Sequence, residues 1–224
     1  MQIKTRLMIY LVLEAVIVAC CLGPLVQYCI DAISNVISGK NSILEDNAFS
    51  RFTTLSNLFM AVVGVMSVVC CVVTFVEKKY ILPKWLVSIK YFATVYIIIT
   101  FIIICMVLSW IDPKPERLWT GREMFTHAIN PLLGVISFCF LPNKHQVNKY
   151  LFWYALIPVV GYAILYGIMT IGVGTWKDFY SVTIELPWSA IIFAWALLGF
   201  SLSISWILYR WKFPKKTIAK NDKV

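Results

Sequence analysis

Six long apolar stretches divide this chain, and they leave little room for a soluble fold. They run from Leu7 to Ile30, Thr53 to Val76, Trp85 to Ile111, Met124 to Leu141, Tyr150 to Val173 and Trp188 to Tyr209. Each is near the roughly 20 residues that a helix needs to cross a bilayer core. A membrane-spanning strand would instead alternate apolar and polar residues over about 10 positions. These stretches do not alternate, so the sequence predicts an all-α polytopic membrane protein. Its fold is a six-helix bundle forming a single integral membrane domain over residues 1–224. Composition agrees, with 60% of residues hydrophobic and 14% charged, far from the balance of a soluble domain.

The net charge of +9 would suit a nucleic-acid binder, but its distribution points elsewhere. With the N-terminus placed in the cytoplasm, the outer loops hold Lys40, Arg51, Lys114, Arg117, Arg122 and Lys177. The inner side holds the other 14 of the 20 basic residues. Asp31, Glu45, Asp46, Asp112, Glu116, Glu123, Asp178 and Glu185 all fall outside. A Lys/Arg excess marks the cytoplasmic side, so both termini are predicted inside. The tail 210–224 is then a basic segment at anionic lipid headgroups, and no nucleic-acid partner is expected. Trp110, Trp119, Trp176 and Trp188 fall at the outer boundary, and Trp85, Trp153, Trp206 and Trp211 at the inner one. That distribution fits the aromatic belts of a membrane protein. Lysine-rich inner loops and overall compactness point to a bacterial plasma membrane.

The cysteines Cys20, Cys21, Cys29, Cys70, Cys71, Cys105 and Cys139 all lie within the stretches, with no CxxC and no His/Cys cluster. They read as small packing residues, and neither a disulfide framework nor a metal is expected. The first stretch has a basic start and ends one segment at Ala19-Cys20, like a lipoprotein signal. Glu14 interrupts its apolar core, however, and the run continues to Ile30, too long for a cleaved signal. Gly23-Pro24 and Pro158 with Gly161 are expected to kink or loosen their helices. Gly64, Gly134 and Gly199 are isolated, giving only a faint small-residue seam.

Two stretches open with polar side chains at matched depth. The second begins Phe52-Thr53-Thr54-Leu55-Ser56-Asn57, and the fourth Phe125-Thr126-His127-Ala128-Ile129-Asn130-Pro131. Both run from outside to inside, which puts Thr54 and His127 about one turn below the outer surface by helix rise. Thr54 and Asn57 are three residues apart and share a face. Glu123 precedes His127 by four residues and can meet its ring along one face, fixing its tautomer as the acid of a catalytic triad does. A hydroxyl beside a histidine base is the minimum for nucleophilic acyl transfer. Asn57, Asn130 or a backbone amide would supply oxyanion donors. The plainer alternative is Ser50, Thr53 or Thr54 capping a helix, with His127 packing near the headgroups.

These residues resemble the androgen-induced-gene and androgen-dependent TFPI-regulating family. The resemblance lies in Phe52-x-Thr54-x-x-Asn57 and a histidine opening the fourth stretch with a proline soon after. Bacterial six-span relatives look more similar still. The resemblance extends over most of the chain from Arg51 onward. It implies a transmembrane threonine hydrolase acting on fatty-acid esters of hydroxy fatty acids, with Thr54 as nucleophile and His127 as base. Thr53 adjoins Thr54, and the spacing to Asn57 selects Thr54. Where such relatives carry an aromatic-rich segment ending in Asp, this chain has Phe179-Tyr180 and then Glu185-Leu186-Pro187.

The resulting expectation is an intramembrane hydrolase of fatty-acyl esters, with membrane lipids as its partners and no cofactor. Its catalytic residues would be Thr54 and His127, supported by Asn57, Asn130 and Glu123. The alternatives are a non-enzymatic small-molecule or lipid binder or transporter, and a structural subunit of a membrane complex. Glu14 could bind a cation or pair with Lys90. Ser201, Ser203, Ser205, Tyr162 and Tyr166 read as interhelical hydrogen-bonding residues, and His145 as surface.

Overall fold

The structure, a computed structural model, describes residues 2–38, 51–111, 113–142, 148, 150–176, 178 and 187–213. The expectations placed on Lys40, Glu45, Asp46, Ser50, Asp112, Lys144, His145, Lys177, Phe179, Tyr180, Glu185 and the tail beyond Phe213 lie outside the described residues.

Every regular element among the described residues is helical. In a hydrocarbon environment a helix bonds its own backbone groups, so long apolar runs take this form. α1 spans Ile3–Ile37, α2 Phe52–Val76 and α3 Lys84–Ile103. A π-helical turn Ile104–Leu108 carries α3 into the short α4, Ser109–Ile111. A 3₁₀ turn Pro115–Trp119 follows. α5 (Gly121–Met124), a π-helical turn (Phe125–Ile129) and α6 (Asn130–Phe140) form the next continuous rod. α7 (Leu151–Tyr154), α8 (Leu156–Gly167) and a π turn (Ile168–Gly172) form another. α9 spans Pro187–Lys212. Among the described residues, 5 helices are long and apolar enough to cross a membrane: Ile3–Asn35, Phe52–Val76, Lys84–Met106, Gly121–Phe140 and Leu151–Gly172.

Several boundaries differ from expectation. α1 continues to Ile37, so the first loop starts later than Asp31. It also runs through Pro24 as one helix, because neighbouring groups and local adjustment tolerate a missing N–H there. α2 begins after Arg51 with no side-chain cap. Thr53 and Thr54 therefore lie inside the helix rather than capping it.

α1, α2, α3 and α6 pack against one another as the core, and α9 lies against α3, α7 and α8. On α1 the buried positions Leu7, Tyr10, Glu14, Ile17, Cys21, Leu25 and Tyr28 recur every three or four residues, while Val12, Val16, Val26, Ile30 and Ile33 are exposed. Exposed valines on α2, such as Val62, Val69 and Val72, face away from buried Asn57, Ser67 and Thr74. Polar groups inside and large apolar groups outside is the pattern expected when lipid replaces water as solvent.

Two glycines that look isolated in sequence mark close helix approaches. A Cβ on Gly64 would stand 2.7 Å from Val18 Cγ2, and one on Gly134 would stand 3.0 Å from Met60 Cε. The small-residue seam is therefore real, but it is made across helices rather than along one.

At the end away from His127, two cations close α6. Arg6 donates to Cys139 O at 2.6 Å and Phe140 O at 3.1 Å. Lys212 donates to Phe138 O, Cys139 O and Leu141 O at 2.5, 3.2 and 3.0 Å. These contacts satisfy carbonyls that a helix C-terminus leaves unpaired and complement its negative end.

Candidate functional site

Pro131 shapes the local backbone. It cannot donate to the carbonyl four residues before it, so the ladder loosens there. The π turn Phe125–Ile129 occupies this position, and Asn130 N–H reaches Phe125 O. π turns of this kind recur at functional sites. Thr126, His127 and Asn130 all become buried.

α2 buries both Thr54 and Asn57, 1% and 0% exposed, and it is Asn57 that meets this turn. Asn57 Nδ2 donates to Thr53 O at 2.8 Å and to Thr126 O at 3.2 Å. Asn130 Nδ2 donates to Asn57 Oδ1 at 2.7 Å and approaches Cys20 O at 3.4 Å. The thiol of Cys21 points at Asn57 Oδ1 from 3.8 Å. These contacts tie α1, α2 and α6 together. Asn130 Oδ1 is buried without a hydrogen-bond partner.

His127 is held from the loop side. Its Nδ1 lies 2.9 Å from Leu118 O. A carbonyl only accepts, so Nδ1 carries the proton and Nε2 of a neutral ring keeps its lone pair. Gly121 adopts φ +56°, a left-handed conformation open to glycine, where the chain turns from the 3₁₀ segment into α5. Trp119 Nε1 donates to Ser109 Oγ at 3.2 Å and anchors that segment.

Glu123 Oε2 stands 3.5 Å from His127 Nε2. This acid also accepts from Tyr28 OH at 2.8 Å and lies 3.6 Å from Arg122 Nε. Arg122 pairs with Asp31 and places its guanidinium 4.4 Å from the Tyr28 ring centroid. Glu123 therefore belongs to a rim that joins α1 to the start of the α5–α6 rod.

The structure thus links Asn57 to Asn130 and sets Glu123 beside His127. No hydrogen bond joins Thr54 to His127. Both ring nitrogens face groups on their own rod or the preceding loop. Ser56 bonds Thr100 on α3 at 2.8 Å, so it locks two helices rather than lining the site. Tyr28, Thr126 and the Leu118 carbonyl join the site without being among its expected residues. Tyr28 was detectable, since it follows Cys21 by seven residues and Glu14 by fourteen on one stripe. The Leu118 carbonyl carries no side-chain signal.

Among the other expected hydrogen-bonding residues, Ser205 donates to Phe152 O at 2.9 Å and meets Tyr91 OH at 2.5 Å. Tyr162 OH accepts from Phe52 N–H at 3.0 Å. Ser203 instead bonds back to Gly199 O in its own helix, and Ser201 Oγ is buried without a partner. Among the described residues, no group of three or more His, Cys, Asp or Glu is placed to hold a metal ion. No protein-family model, curated protein or solved structure matches the chain.

Proposed function

We propose that the chain is an intramembrane hydrolase of fatty-acyl esters with its site toward the outer leaflet. It would lie in a bacterial plasma membrane as six spans, α9 supplying the sixth, with both termini cytoplasmic. Support for the family resemblance and for this chemistry comes from the same residues, Thr54, Asn57 and His127. The observation that carries the proposal is the Leu118 carbonyl at 2.9 Å from His127 Nδ1. A carbonyl only accepts, so Nδ1 carries the ring proton, and this supports reading Nε2 as the base.

In the proposed reaction, the Thr54 hydroxyl gives its proton to His127 Nε2 as its oxygen attacks the ester carbonyl carbon. Glu123, 3.5 Å from that nitrogen, stabilises the imidazolium so formed. The proton then passes to the departing alkoxide as the ester C–O bond breaks. Water, deprotonated by the same ring, attacks the acyl-threonine carbonyl; the C–O bond to Thr54 breaks, the fatty acid leaves, and the Thr54 oxygen takes the proton back from the ring. The Asn57 and Asn130 amides already spend protons on fixed partners, which suits them to orienting the two helices. Thr54 and His127 share no hydrogen bond at rest; in the proposed reaction that bond forms on substrate binding while Nδ1 keeps its Leu118 partner, a tightening that catalytic hydrogen bonds commonly undergo.

A second function, non-enzymatic binding or transport of a small molecule or lipid, draws on Asn130 Oδ1, which is buried and unpartnered. The two are separated by incubating purified protein with a panel of long-chain esters and a fluorophosphonate probe. Turnover and labelling at Thr54 support the hydrolase. Saturable ester binding with neither turnover nor labelling supports the binder.

A further inference from the structure

A second polar group lies deeper in the core, among α1, α2, α3 and α6, and the hydrolase makes no use of it. Glu14 and Lys90 are both 0% exposed, and Lys90 Nζ sits 2.6 Å from Glu14 Oε1. The Ser137 hydroxyl donates to the same oxygen. Lys90 Nζ also contacts Met60 Sδ at 3.4 Å, a weak acceptor. Glu14 Oε2 is buried and has no hydrogen-bond partner. The other titratable groups facing the pair are Tyr10 and Cys21 on α1 and Cys71 on α2. α6 contributes the neutral Ser137.

An ion pair retained for packing alone is a poor choice in hydrocarbon, since apolar residues of similar volume serve as well. One with a carboxylate oxygen left bare is poorer still. Ionisable groups at such depth mark ion and proton pathways. We propose that Glu14, Lys90 and Ser137 form a proton-exchange site in the membrane interior, its ligand a proton received at Glu14 Oε2.

In the exchange, an O–H bond forms at Oε2 as a hydronium ion gives up its proton, while one N–H bond of Lys90 breaks and its proton passes to a water molecule entering beside Met60. Carboxylate and ammonium become carboxylic acid and amine, and no net charge is left in the core. Rotation of the carboxyl group and transfer of its proton along the Glu14–Lys90 hydrogen bond restore the ion pair. Polar groups continue in both directions along the bundle. Tyr10 OH donates to Ser67 Oγ at 3.0 Å on one side, and Cys21, Asn57 and Asn130 lie on the other. Ile17, Met60 and Ile97, each 0% exposed, separate the pair from the asparagines, so passage there is the slow step.

The full chain, reconstituted in phosphatidylcholine–phosphatidylglycerol liposomes with a trapped pH dye, is given a potassium gradient and valinomycin. The wild type is expected to carry protons faster than protein-free liposomes, and Glu14→Gln to fall to that background. Because Glu14→Gln strands the Lys90 charge, the double variant Glu14→Gln/Lys90→Met, which removes both charges, is measured beside it. It should elute as a folded species and show the same loss. Wild-type flux no greater than protein-free background, or wild-type flux in the double variant, overturns the proposal.

Discussion

Asn130 Nδ2 donates to Asn57 Oδ1 at 2.7 Å across the interface of α6 and α2. Asn57 spends its own amide protons on Thr53 O and Thr126 O. One side chain thus fixes the register of two helices at the level of Thr54 and His127. Asn57→Ala should destabilise the protein by about 1–2 kcal/mol, the size of interhelical hydrogen bonds in membranes. Asn57→Ala/Asn130→Ala should cost less than the sum of the single changes, because the two share one bond. Unfolding in mixed detergent, followed by circular dichroism, measures both. Additive losses would mean that the pair does not couple.

Glu14→Ala leaves Lys90 charged and buried without its partner. The expected loss is about 3–5 kcal/mol, as for breaking a buried ion pair. Glu14→Met/Lys90→Met should recover most of that stability. The same unfolding assay distinguishes them, and a double variant no better than the single would deny the pairing.

Gly64→Ala places a Cβ 2.7 Å from Val18 Cγ2. Overpacking of this kind costs about 1–3 kcal/mol and should push α1 from α2. Gly23→Ala meets nothing within 4 Å, and should be neutral or stabilise by up to about 1 kcal/mol, the helix-propensity difference. Comparable losses at both positions would argue against the seam.

For the proposed chemistry, Thr54→Ala and His127→Ala should each lower ester turnover by about 10²–10⁴-fold, the usual contribution of a general base. Thr54→Ser keeps the nucleophilic oxygen and should retain part of the activity. Thr53→Ala should change it far less, its side chain turning about 100° away on the helix. Initial rates on purified variants decide the matter, and equal losses at Thr53 and Thr54 would remove Thr54 as nucleophile.

For the topology, cysteines placed at Lys114 and Lys215 should label from opposite sides of the membrane. An impermeant maleimide applied to intact cells should reach the first alone. Labelling of both would reverse the assignment of one end.

The apolar runs by themselves determined that this chain builds long helices, and roughly where each begins. Hydrocarbon content and length set that outcome locally, with no need for knowledge of neighbours. The Glu123–His127 contact was legible for the same reason, since residues four apart on a helix meet whatever surrounds them. The chance that Glu14 meets Lys90 was also visible, because each charge at that depth needs a partner.

Tertiary packing decided the rest. Whether Gly64 is an incidental small residue or a point of helix contact depends on Val18, 46 positions earlier in the chain. The resting position of His127 depends on a backbone carbonyl of Leu118, which no residue type announces. Asn57 and Asn130 each looked like a candidate oxyanion donor, yet the fold turns them toward each other. Rotation of one helix about its axis chooses among such partners, and that rotation is set by the summed packing of every face at once.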